Sequence, residues 1–173
     1  FPGLVLVGFM GSGKSSVGRE VARRVRAQFV DVDDLIERAA GKPIRKIFAA
    51  AGEPAFRERE REALREALSV PGRVVATGGG AFLETANRER LKAYAPVVYL
   101  EASPEEVLSR LSRDSDRPLL RGGDRGRIVR DLLALRVPGY READHTVSTD
   151  GRTVAEVADR IVELLMDKEG RRR

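Results

Sequence analysis

The stretch Leu4-Val5-Leu6-Val7-Gly8-Phe9-Met10-Gly11-Ser12-Gly13-Lys14-Ser15 decides the fold. Its first four residues are apolar without a break, as suits a short strand buried on both faces. The next eight fit G-x-x-x-x-G-K-[ST], the phosphate-binding loop. Glycines let backbone N–H groups converge on phosphate oxygens, and the helix that follows adds a positive dipole end. Gly11, Ser12, Gly13 and Ser16 belong to this nucleotide cradle. Lys14 offers a mobile cation to the β- and γ-phosphates, and Ser15 a hydroxyl to Mg²⁺. A turn that merely happens to be glycine-rich is the bland alternative. The buried strand before the loop favours the functional reading, as do Val17, Val21 and Val25, which recur every four residues after it.

Outward from the loop, period and punctuation alternate strand and helix, which predicts a parallel sheet covered on both faces. Further strands are expected at 29–33, 73–77, 96–100 and 145–149. Helices are expected at 33–40, 44–51 and 54–69, from Ser103-Pro104-Glu105-Glu106 onward, and at about 127–137. Thr153-x-x-Glu156 is a capping box that opens a last helix, with Val154, Val157, Ile161 and Leu165 facing inward. Residues 113–126 are too weakly periodic for a regular element. No repeat or long linker interrupts the 173 residues, so one domain is expected over 1–173.

Composition narrows the function. There is no Cys and a single His, His145, so disulfides, thiolate chemistry and a histidine zinc site are excluded. His145 reads as a surface or strand-edge residue. No apolar run reaches the roughly 18 residues needed to cross a bilayer. The chain opens Phe1-Pro2-Gly3 without a methionine, which leaves room for an upstream segment, and the residues present show no signal peptide. Net charge is +5, with only five lysines among 32 basic residues. Most arginines sit among acids, as in "FRERERE" at 56–62, the pattern of a solvated helix face. Nucleic acid is therefore not an expected partner, whereas anionic small molecules are.

The acceptor of the phosphate must be read elsewhere. The guanine-reading N-K-x-D of GTPases is missing, and the chain is short for a motor, which leaves kinases of small metabolites. Asp31 and Asp33, placed on one strand, would leave the same face at its carboxyl end. One could serve the metal and the other the substrate hydroxyl; capping of the next helix by Asp33 or Asp34 is the alternative. Thr77-Gly78-Gly79-Gly80 after a strand implies close backbone approach.

Six segments in register then resemble the shikimate kinase family: GFMGSGKSSVG (8–18), DVDDLIE (31–37), IFAAAGEPAFRERE (47–60), TGGGAF (77–82), DRPLL (116–120) and LRVPGY (135–140). The resemblance spans residues 4 to about 166. It implies an α/β P-loop kinase of the nucleoside-monophosphate-kinase type, with five parallel strands flanked by helices. A substrate-binding region at about 33–60 and a mobile lid at about 112–124 come with it. The implied reaction moves the γ-phosphate of MgATP to the 3-hydroxyl of shikimate, a cytoplasmic step of aromatic amino-acid biosynthesis, in a protein expected to be a monomer. By position, Asp33 would hold the hydroxyls and act as base or orienter, with Asp31 near Mg²⁺ through water. Arg57 and Arg136 would grip the carboxylate, Gly78, Gly79 and Gly80 would present backbone groups, and Phe48 and Phe56 would line the pocket. Arg117 would be the lid arginine; Arg110 and Arg152 would pack on adenine. A gluconate-type kinase and a non-catalytic relative are the rival readings, but the first has no reason to combine TGGG, FRxxE and RxPxY. The second should have lost one of Lys14, Asp33, Arg57, Arg117 or Arg136.

Overall fold

The computed structural model describes residues 1–112 and 124–170. Five parallel strands form one sheet in the order β2-β3-β1-β4-β5, with β1 Leu4–Val7, β2 Phe29–Asp31, β3 Val74–Ala76, β4 Val97–Glu101 and β5 His145–Ser148. The helices are α1 Lys14–Val25, α2 Val32–Ala40, α3 Ile44–Ala67, α4 Thr85–Tyr94, α5 Pro104–Leu111, α6 Arg125–Tyr140 and α7 Val154–Gly170.

The apolar run in β1 is divided by its pleat. Leu4 and Leu6 enter a core with Val17 and Val21 of α1 and Val157 and Ile161 of α7. Val5 and Val7 enter the opposite core with Ile36, Ile47, Leu64 and Leu133. Both faces are thus covered by helices, and every β1 residue is buried. Because the strands are parallel, their carboxyl ends share one rim. The loop after β1 therefore opens beside Asp31, the last residue of β2, and beside Thr77–Gly80, which follows β3.

Several expected boundaries move. The second strand stops at Asp31 instead of continuing to 33. The Asp31 side chain accepts the Asp33 N–H at 3.0 Å and caps α2 itself. Asp31 and Asp33 thus do not share a strand face, and neither Asp33 nor Asp34 is the cap. The two expected helices at 44–51 and 54–69 run as one element with a break at Gly52, whose φ of 76° and ψ of −178° are not helical. α6 runs through Pro138 to Tyr140 rather than ending near 137. Proline removes a single donor, to the carbonyl of exposed Ala134, and burial of Tyr140 holds the last turn in place. Val154 is 41% exposed, because the reciprocal bonds of the Thr153–Glu156 box turn the first residue of α7 outward. His145 lies on the edge strand β5, as expected. No helix among the described residues is long and apolar enough to cross a membrane.

Candidate active site

Gly8 shows why the phosphate loop needs glycine. Its φ is +150°, and a Cβ there would sit 2.7 Å from the Leu100 carbonyl oxygen. Gly13, with φ 93°, sets the entry to α1, and no side chain caps the first turn. The amide donors of that turn face the cleft unclaimed by side-chain caps. Lys14 Nζ donates to the carbonyls of Gly8 at 2.7 Å and Phe9 at 2.9 Å, so the cation is folded over the loop it serves. Ser12 is buried, and Ser16 is exposed on the first turn of α1.

Ser15 Oγ donates to Asp31 Oδ2 at 2.5 Å. Two oxygen donors at the mouth of a phosphate cradle fit Mg²⁺, which favours oxygen and stays largely bound to phosphates and water. Among the described residues no three acidic, His or Cys side chains gather to hold a metal by themselves. Asp31 serves both sides at once, since its other oxygen fixes the amide of Asp33.

The Thr77–Gly80 turn is a floor against which the acceptor-side residues rest. Measured from ideal Cβ positions, Gly78 abuts Asp33 Oδ1 and Glu60 Oε2 at 3.0 Å each, Gly79 abuts Arg136 Nη1 at 3.1 Å, and Gly80 abuts Arg57 Nη2 at 2.5 Å. The same Gly79 position is 3.5 Å from the Met10 amide nitrogen, so the floor touches the phosphate loop. A cleft of about 190 Å³ joins Lys14, Ser15 and Asp31 to Asp33 and Thr77–Gly79. Phe48 and Phe56 pack across the break in α3 with ring centroids 4.7 Å apart. The Arg57 guanidinium lies over Phe56 and that of Arg136 over Phe9.

Arg110 donates to Gly11 O at 3.1 Å and to Thr149 Oγ1 at 3.4 Å, tying α5 to the phosphate loop. Arg152 is exposed in the turn after Thr149. Arg117 and most of the expected lid fall outside the described residues.

Glu60 was hidden by its surroundings in the sequence. It sits in the "FRERERE" run that reads as solvated, yet it is 1% exposed and bonded to Arg57 at 2.8 Å. The three-residue step from Arg57 to Glu60 puts both on one helix face, which is the available signal. Burial pushes the Glu60 carboxyl above the usual carboxylate range, and Arg57 only partly offsets it. Burial also opposes the charge of Arg57, but Glu60 and Glu53 outweigh it and raise the guanidinium further. The pair is uneven because Arg57 keeps more contact with water than Glu60.

A carboxyl whose folded pKa is raised adds stability below its unfolded pKa and loses it as pH climbs through the folded value. Relative to the parent, Glu60→Gln should therefore gain thermal stability as pH rises from about 4 to 7–8. Thermal unfolding of both proteins across that range checks this. A variant less stable at neutral than at acid pH, relative to the parent, would contradict it.

Phosphate donor and hydroxyl acceptor can share this cleft, which places the protein among the P-loop kinases of small metabolites. The family model for shikimate kinase matches residues 10–166. A shikimate kinase of Pseudomonas syringae pv. tomato is 48% identical over 166 residues, covering 93% of this chain and 96% of that relative. The structure of shikimate kinase from Acinetobacter baumannii in complex with shikimate superposes with a TM-score of 0.94 at 42% identity, over 97% of this chain and 94% of that one. A gluconokinase from Sinorhizobium meliloti shares the fold alone, with a TM-score of 0.58 at 22% identity over 97% of this chain and 98% of that one. The chain belongs to the shikimate kinase family.

Proposed function

We propose that this chain transfers the γ-phosphate of ATP to the 3-hydroxyl of shikimate, giving shikimate 3-phosphate and ADP. One observation carries the reading: Asp33, Arg136 and Arg57 rest in turn on Gly78, Gly79 and Gly80, directly beside the phosphate loop. A carboxylate and two arginines set along one floor suit an acceptor that has both hydroxyls and an acid group.

The loop amides and Lys14 bind the β- and γ-phosphates and meet the charge that spreads over the transferring group. Ser15 and Asp31 would hold Mg²⁺, which when bound would neutralise the phosphate oxygens. Arg57 and Arg136 hold the shikimate carboxylate, Gly79 and Gly80 offer backbone donors, and Phe48 and Phe56 wall the ring. Asp33 orients the 3-hydroxyl and accepts its proton as the oxygen bonds to phosphorus. Arg110 and Arg152 flank the adenine, and Arg117 adds a further positive charge for the nucleotide phosphates and the substrate. One domain holds all these groups, with the acceptor side drawn from about 33–60, and a cytoplasmic monomer suffices.

ADP release with shikimate, gluconate or quinate as acceptor tests the substrate. Turnover of gluconate in preference to shikimate would overturn the reading. Hydrogen bonds to a charged group contribute about 1.5–3 kcal/mol each. Arg136→Ala should thus raise KM for shikimate roughly 10- to 150-fold while leaving KM for ATP nearly unchanged. Arg136→Lys should recover only part, because an ammonium cannot reproduce the two-pronged contact. Steady-state kinetics with each substrate varied in turn decide it; equal damage to both KM values would move Arg136 to the nucleotide side.

A further inference from the structure

Tyr140 lies one helical turn beyond Arg136 on the same face of α6, and it is fully buried. Its hydroxyl donates to the carbonyl oxygen of Gly79, a residue 61 positions away in sequence. The Arg136 guanidinium bears on the same phenolic oxygen. On its other side the ring stacks on Tyr99 of β4, with centroids 5.0 Å apart and planes 26° apart.

Gly79 is the middle of the glycine floor. Its neighbours bear on Asp33, Glu60 and Arg57, and Gly79 itself is wedged between Arg136 and the Met10 amide. A three-glycine turn has little stiffness of its own, since glycine leaves the backbone its widest freedom. Something outside the turn must fix it.

We propose that Tyr140 is a positioning residue of the acceptor site: through one hydroxyl it locks the Gly79 carbonyl and the Arg136 guanidinium into a fixed relation. This rests on the shikimate reading for its kinetic consequence, though not for the contact itself. Burial pushes the phenol up to about 12, with Arg136 drawing it back. The group therefore remains a donor throughout the working pH range.

Tyr140→Phe keeps the ring and its stack and removes only the oxygen. KM for shikimate should rise about 10-fold, while KM for ATP stays within about twofold. In an Arg136→Ala background the same change should shift KM for shikimate less than about threefold, since its target is gone. Tyr99→Phe, which takes an oxygen from the other ring of the stack, should leave both KM values unaltered. Amide exchange supplies a readout free of any substrate: residues 78–82 of ligand-free Tyr140→Phe should exchange at least about 10-fold faster than in the parent.

Unchanged exchange in that segment would overturn the proposal whatever the substrate proves to be. So would a loss of thermal stability accompanied by equal rises in both KM values, the mark of a purely structural residue. Faster exchange in a protein that does not bind shikimate would instead uphold the contact and overturn the substrate assignment.

Discussion

Lys14→Ala should turn over at least about 1,000-fold more slowly than the parent while remaining folded. Phosphoryl transfer asks the protein mainly for position and charge, and removing one preorganised donor typically costs about 100- to 1,000-fold in rate. Lys14 supplies both a donor and a full charge, which places it at the upper end. The structural cost is smaller. The side chain is half-exposed, and water can serve the Gly8 and Phe9 carbonyls that it bonds once it is removed. At roughly 2–4 °C per kcal/mol for a chain of this size, the melting temperature should fall by less than about 10 °C. Single-turnover kinetics at saturating ATP and a thermal melt measure the two effects separately. Activity within tenfold of the parent would remove Lys14 from the transfer step.

Asp33→Asn should depress kcat by about 100- to 10,000-fold, the usual range for losing a placed general base, while shikimate binds within a few-fold of its original affinity. The helix that presents this residue is not at risk. It is capped by Asp31 through the backbone N–H of Asp33, which the substitution leaves intact. The amide keeps the shape against Gly78 and one acceptor oxygen, and it lacks a site for the proton. Calorimetric binding of shikimate alongside steady-state rates separates the two roles. A parallel loss of affinity and rate would make Asp33 a binding group and send the proton elsewhere.

The donor half of the cleft was legible in the sequence because its determinants are local. A buried strand, a glycine loop and an amphipathic helix follow one another within residues 4–25, and the structure keeps that order. The acceptor half is assembled from distant segments, and spacing alone left it open. Alternation does not reveal where a strand yields to a helix, so it sets Asp31 and Asp33 on one strand. In the structure the Asp31 side chain ends the strand by turning back to cap α2. Composition averages over a run and so conceals Glu60. "FRERERE" is mostly solvated, and only the fold shows that one of its carboxylates is aimed inward. Tyr140 stood beyond a proline that reads as a helix end. Its burial against Tyr99 holds the last turn, and neither the ring contact nor the bond to Gly79 can be read from periodicity.

The crowded glycine floor has a consequence for inhibition. A competitive inhibitor seated there would be hard to evade by altering the surface beneath it. A methyl group at Gly78 presses on Asp33 and Glu60, one at Gly79 on Arg136, and one at Gly80 on Arg57. Any substitution that raised the floor to expel the drug would displace the groups that receive the natural acceptor. Escape is therefore left to more distant positions, where a change reaches the bound molecule only weakly.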